Sequence, residues 1–173
     1  GASGTVRAVD SVSFSIARGE KFALVGESGS GKTVTALAML RLLTDARVSG
    51  QVRFAGRDLA TLSEPELRGI RGRQIAMIFQ EPMSALNPLY SVGEQIGETL
   101  TLPEGRSRAQ ARARSIELLD LTGITEPQRR IDSYPHELSG GQRQRAMIAM
   151  ALACSPELLI ADEAVSALDV SVQ

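Results

Sequence analysis

The chain's 173 residues, with 19 Lys+Arg against 20 Asp+Glu and a formal net charge of -1, fit one globular domain and argue against a duplex-binding protein, which carries a clear basic excess. Hydrophobic residues at 43% and charged residues at 23% exclude a disordered chain. The single cysteine, Cys154, excludes an internal disulfide framework, and the single histidine, His136, argues against a structural zinc site.

The longest apolar run, Ala146 to Cys154, falls well short of the roughly 20 residues a membrane span needs, and no basic-then-apolar signal segment opens the chain. A soluble, intracellular domain is expected. The chain starts at Gly1 without an initiator Met and stops at Gln173 directly after a motif-dense stretch, so it is expected to be incomplete.

Val12, Phe14 and Ile16 alternate with serines, the period of a half-buried strand. Phe22 to Val25 is a short apolar run that fits a buried parallel strand. A glycine-rich loop follows, then a helix expected over Lys32 to Leu43. Val52 and Phe54 predict another half-buried strand, Ser63-x-x-Glu66 a capping box starting a short helix near Leu67, and Ile75 to Phe79 an all-apolar strand. From about Val92 to Gly123 the periodicity is helical. Ser107-x-x-Gln110 caps a helix whose inner face is expected to use Ala113, Ile116 and Leu119, with Gly123 just past its end. A further helix runs from Ser139 to about Cys154, and Leu158 to Ala161 is a third buried strand candidate. The fold class is α/β, with antiparallel strands early and a helical insertion in the middle.

Gly26-Glu27-Ser28-Gly29-Ser30-Gly31-Lys32-Thr33 fits G-x-x-x-x-G-K-[ST], between an expected strand and an expected helix. Its glycines let consecutive backbone N–H groups face phosphate oxygens, and the helix start adds free N–H groups and a positive dipole end. Lys32 supplies a cation for the β- and γ-phosphates, and the Thr33 hydroxyl can ligate Mg²⁺. The chain holds only two lysines, Lys21 and Lys32, against seventeen arginines, so a compact point charge is kept where it suits this loop.

Asp162 and Glu163 follow directly on the Leu158–Ala161 run. Adjacent carboxylates at a buried strand end are costly without a cationic partner. Asp162 is placed to hold the Mg²⁺ shell, and Glu163 to polarise a water beside the γ-phosphate. Leu138-Ser139-Gly140-Gly141-Gln142 carries a second signal. Ser139 and Gln142 form a capping box, which a plain helix start explains. It does not explain two glycines in a first turn, each weakening a helix by about 0.5–1 kcal/mol. Their use would be close approach of backbone N–H groups to an anion, which places ATP between two surfaces.

The ordered set of Gly26–Thr33, Gln80 after a strand, Leu138–Gln142 as LSGGQ, Leu158–Glu163 and Ser166-Ala167-Leu168-Asp169 resembles the nucleotide-binding domains of ATP-binding-cassette (ABC) transporters. The resemblance covers essentially the whole chain. It implies a P-loop ATPase core with a parallel sheet, a small antiparallel β subdomain and an inserted helical subdomain. Residues 1–80 and 155–173 would form the nucleotide-binding core and 81–154 the helical subdomain. It further implies ATP and Mg²⁺ as cofactors, with Thr33, Gln80 and Asp162 toward the metal, and a head-to-tail dimer in which Ser139, Gly140, Gly141 and Gln142 of one domain close on ATP held by Gly26–Thr33 of the other. Glu163 and Gln80 would be catalytic, and Asp169 would sit at the dimer interface.

The segments Phe79–Pro88, Tyr134-Pro135-His136-Glu137 and Asp169–Gln173 resemble the oligopeptide/dipeptide/nickel importer branch, including forms with two such domains fused in one chain. The implied function is the ATP-hydrolysing subunit of an importer for peptides or similar small solutes, held at the cytoplasmic face of the inner membrane by permease subunits and served indirectly by an extracytoplasmic solute-binding protein. Three features depart from the family. Its switch histidine would lie beyond Gln173, no adenine-stacking aromatic precedes Val9, and Ala164 stands where many members carry Pro.

A soluble cassette ATPase acting in DNA repair or translation would share every motif, and the Gln80–Pro88 segment favours the transporter. A GTP-binding switch is set aside because no Asn-Lys-x-Asp motif occurs. Arg106, Arg108, Arg112 and Arg114 read as a solvated helix face rather than a nucleic-acid surface.

Overall fold

A computed structural model describes residues 6–80 and 85–162, the side chains of 102–104 excepted. The chain divides into two compact units, Gly1–Leu62 and Ser63–Gln173.

In the first unit, α1 (Lys32–Met39) follows the glycine-rich loop. It stops earlier than the expected Leu43 because Arg41 adopts φ 52°, and the N–H groups of Arg41 and Leu42 turn back to Ala38 O at 3.0 Å and Leu37 O at 2.9 Å. This is the paired closure of a Schellman end, with arginine where glycine is usual. Strands β1 (Arg53–Phe54) and β2 (Arg57–Asp58) form an antiparallel hairpin. Its two central residues, Ala55 and Gly56, both have positive φ, which matches the turn to the strand twist.

The strands expected at Val12–Ile16 and Phe22–Val25 form no ladder among the described residues. The rings of Phe14 and Phe22 stack at 5.0 Å, and Glu20 closes the turn between the segments through Ala17. Yet Phe22 and Leu24 are each 43% exposed and Val25 88%, so the run expected to be buried is open. Alternation marks a segment that suits a sheet, but a strand exists only where a neighbour takes up its N–H and C=O groups.

In the second unit, α2 (Glu64–Arg68) starts at Ser63, whose N–H donates to Glu66 Oε2 at 2.8 Å. Strands β3 (Ile75–Ile78) and β4 (Leu158–Ala161) pair in parallel, Ile75 with Leu158 through Ile78 with Ala161. The ladder continues with Asp162 N–H donating to Ile78 O at 3.0 Å. β3 is buried on both faces as expected, whereas β4 alternates half-buried and exposed. Among the described residues β4 pairs only with β3, which leaves its other side open.

Between the strands lie helices α3 (Val92–Glu104), α4 (Arg108–Leu121), α5 (Pro127–Arg130), a 3₁₀ turn (Pro135–Glu137) and α6 (Gly140–Leu152). Reciprocal capping boxes at Ser91/Glu94, Ser107/Gln110 and Ser139/Gln142 open the three long helices. Gly123, with φ 77°, ends α4 in the Schellman manner, its N–H bonding Asp120 O and that of Ile124 bonding Leu119 O.

The buried face of α4 is Ala111, Ser115, Leu118 and Leu119, with Ile116 at its margin, and Ala113 is exposed. The expected face named Ala113, which is exposed, and left out Ala111, Leu118 and Ser115. Ser115 Oγ donates to Ala111 O at 2.8 Å, so its hydroxyl is satisfied and the residue sits in the core. One apolar cluster joins Ile96 and Leu100 of α3, Leu118 and Leu119 of α4, Ile131, and Ala146 and Ala149 of α6. A second, of Ala76, Ile78, Met147 and Ala151, fastens α6 to β3. Met147 is buried in the core, and Cys154 donates its thiol to Thr99 O.

Candidate functional site

The phosphate loop belongs to the first unit. Gly29 and Gly31 have φ of 79° and 91°, backbone that side chains with a Cβ adopt only under strain. At Gly31 a Cβ would also lie 2.8 Å from Ala8 O, and at Gly26 it would lie 2.6 Å from Ser30 Oγ. Gly31 is the N-cap of α1 and has no side chain to cap the first turn, the kind of helix start that suits an anion. Lys32 Nζ donates to Gly26 O and Glu27 O, each at 2.8 Å, which folds the cation back onto the loop. Thr35 Oγ1 bonds Gly31 O at 2.8 Å and ties the loop's exit to the helix. This loop fits a polyphosphate: an uncapped helix start, glycines where side chains would intrude, and one cation held within reach.

The remaining described candidates belong to the second unit. The parallel register brings Gln80, two residues past Ile78, and Asp162, one past Ala161, to the same end of the β3–β4 ladder. That carboxyl end is where open α/β sheets take their ligands. Asp162 is 8% exposed, while Gln80 is exposed. Among the described residues no group of three or more His, Cys, Asp or Glu assembles. Mg²⁺ requires none, since it binds through one or two protein oxygens together with phosphates and water. Glu163 and Asp169 lie outside the described residues, as do residues 81–84 of the segment after Gln80.

At the start of α6, Ser139 Oγ accepts from Gln142 N–H at 3.3 Å and Gln142 Oε1 accepts from Ser139 N–H at 3.1 Å. Leu138 is buried and anchors the turn. Among the described residues a Cβ at Gly140 or Gly141 would meet nothing within 4 Å, and neither glycine has positive φ. Among the described residues nothing in the packing requires either glycine, and the pair meets no neighbour there. Since Met147 and Ala151 of the same helix pack on Ala76 and Ile78, the glycine pair and the strand end that carries Gln80 and Asp162 form one packed body.

The family model described as ABC transporter matches residues 9–166. The chain belongs to the ABC transporter family. It is 54% identical over its whole length to a probable peptide ABC transporter ATP-binding protein of Sinorhizobium fredii, and 51% identical over 98% of its length to the dipeptide transport ATP-binding protein DppD of Bacillus subtilis. It spans 52% of each of these relatives, about half their length. Among solved structures it is similar to the dimeric ATP-binding cassette MJ0796 in a post-hydrolysis state bound to ADP and Pi, with a TM-score of 0.81 and 32% identity over 91% of this chain and 66% of that one. The expected P-loop cassette fold is thus the fold of this ABC domain.

Two residues of consequence escape the motif reading. Gly93 lies in the first turn of α3 and Gln95 follows it two residues on. A glycine just inside a capping box is a weak point for a helix, and that was the available signal for Gly93. Gln95 carries no signal at all, because its partners are backbone atoms in a preceding loop.

Proposed function

We propose that this ABC domain binds and hydrolyses MgATP to drive import of peptides or similar small solutes through membrane permease subunits. The observation that carries the reading is the glycine pair Gly140–Gly141, at a helix start and required neither by backbone conformation nor by packing among the described residues. Such a surface suits the phosphates of ATP bound to a second copy, in a head-to-tail dimer. The peptide class is suggested by the names of the relatives, and the dimer by the similar solved cassette.

On this reading residues 1–80 and 155–173 supply the nucleotide-binding core and 81–154 the helical subdomain. Gly26–Thr33 cradle the phosphates, with Lys32 swinging from its two loop carbonyls to the β- and γ-oxygens. Thr33, Asp162 and Gln80 would hold Mg²⁺, which when bound neutralises phosphate charge. Glu163 orients the attacking water and accepts its proton. Ser139, Gly140, Gly141 and Gln142 complete the site in trans, and Asp169 lies across the same interface. No described helix is long and apolar enough to cross a membrane. Attachment at the cytoplasmic face of the membrane would come through permease subunits, with a solute-binding protein acting on the far side.

The test is the concentration dependence of turnover in the full chain. ATP hydrolysis is expected to rise more than linearly with protein concentration, because closure is bimolecular. Ser139→Arg should abolish that rise while MgATP binding persists. Turnover per molecule that is independent of concentration and indifferent to Ser139→Arg would overturn the two-surface mechanism.

A further inference from the structure

Tyr134 and His136 stack ring on ring, with centroids 5.7 Å apart and planes 19° from parallel. Both residues stay exposed, Tyr134 to 41%. A single exposed aromatic is ordinary on a protein surface. Here the backbone holds two of them face to face. Pro135, between them in sequence, is buried, and Tyr134 N–H donates to Glu137 Oε2 at 2.7 Å. Glu137 N–H returns to Tyr134 O at 3.0 Å, and the N–H of buried Leu138 bonds Pro135 O at 3.3 Å. The ordering that a stacking surface needs is therefore already made by the fold.

The turn runs directly into the LSGGQ stretch, and Tyr134 and His136 precede Gly140 by six and four residues. One 3₁₀ turn and a short extended link cover on the order of 10 Å. That matches the length of a nucleoside triphosphate from its last phosphate to its base. We propose that Tyr134 and His136 form a stacking platform for the purine base of the ATP held by the second copy. The inference rests on the two-surface mechanism proposed above. Where Gly140 and Gly141 meet the phosphates, the aromatic pair meets the far end of the same molecule. Aromatic side chains stack on a base through its face, and a purine offers more face than a pyrimidine. The platform thus adds a preference for purine over pyrimidine triphosphates that acts only when two copies close.

In the full chain, Tyr134→Leu, Tyr134→Phe and His136→Ala are compared with the parent for turnover of ATP and of CTP. Tyr134→Leu removes the ring and keeps the bond to Glu137, which uses the backbone N–H. The expected result is a KM for ATP raised about tenfold by the Leu and Ala variants, with the KM for CTP raised less. Tyr134→Phe, which keeps the ring, should keep the parental ratio of the two. Ser139→Arg blocks closure, so adding Tyr134→Leu to it should leave the MgATP Kd of that variant where it was.

A CTP-to-ATP KM ratio that is parental in both the Leu and the Ala variant would overturn the inference. So would equal increases for the two nucleotides, which mark a general loss of closure or stability. A weaker MgATP Kd on adding Tyr134→Leu to Ser139→Arg would put the rings on their own copy's nucleotide, and the assignment to the second copy would fall. If the parent's turnover per molecule is independent of concentration, the two-surface mechanism fails and takes the platform with it. A parental ratio in the variants of a concentration-dependent parent removes the platform alone.

Discussion

Gly93 is packed backbone to backbone against Ile131: its N–H donates to Ile131 O at 2.8 Å, and a Cβ at position 93 would lie 2.7 Å from that oxygen. Val92 N–H donates to Ser133 O in the same way, at 3.0 Å. The first turn of α3 is thus capped by the chain segment that leads to the 3₁₀ turn and on to Ser139. Gly93→Ala should therefore destabilise the second unit by about 1–3 kcal/mol, the usual cost of overpacking. Gly97 offers the control. Among the described residues its Cβ would meet only Ala111 Cβ, at 4.0 Å, so Gly97→Ala should stabilise by about 0.5–1 kcal/mol through helix propensity. Denaturant unfolding measures both, and equal effects of one sign would refute the close-approach account.

Lys32 already has two acceptors in the loop, so its removal frees carbonyls and deletes a cation at once. Lys32→Ala should weaken MgATP binding by about 1.5–3 kcal/mol, the range for a hydrogen bond to a charged group. Lys21→Ala should leave it unchanged. Calorimetry that gives the same affinity for Lys32→Ala and the parent would remove the phosphate-loop assignment.

Glu163→Gln keeps the size of the side chain and loses the charge that draws the proton from water. Hydrolysis by the full chain should fall by roughly 10²–10⁴, with ATP binding retained. Parental turnover in this variant would make Glu163 an ordinary strand-end carboxylate.

Acid should loosen the helical unit through two carboxylates. The Ser91 N–H, and after it the Ser91 hydroxyl, hold Glu94 below its ordinary value of 4.5. The Arg112 guanidinium, bonded to both oxygens of Asp132 at 2.7 and 2.8 Å, holds that residue below its ordinary 3.8. Both pKa values are depressed by folding, so the stability they add is complete above the ordinary values. It is lost as pH falls through the folded ones. The Arg112–Asp132 pair is more than half exposed, which limits its contribution to about 0–1 kcal/mol. The melting temperature should therefore hold from neutral pH to about 5 and decline below about 4, and Glu94→Gln with Asp132→Asn should flatten that decline. An acid limb unchanged in the double variant would place the sensitivity elsewhere.

Local chemistry is what the sequence by itself determined. Each capping box closes within four residues, and the glycine that ends α4 acts on carbonyls one turn back, so Ser107, Gly123 and Ser139 were legible as helix boundaries. The phosphate loop and the LSGGQ stretch were legible for the same reason, since their function lies in consecutive backbone N–H groups. What only the structure decided turned on backbone conformation and on partners that a side-chain pattern does not specify. Whether Phe22–Val25 becomes a strand rests on a neighbour to pair with, and the early end of α1 rests on the left-handed backbone of Arg41. The buried face of α4 turned on Ser115 being satisfied within its own helix. Above all, the contacts of Gly93 with Ile131 and of Gln95 with Asn87 and Tyr90 are made to main-chain atoms. Main-chain atoms are the same in every residue, so no pattern of side chains announces which of them a glycine will touch or an amide will hold.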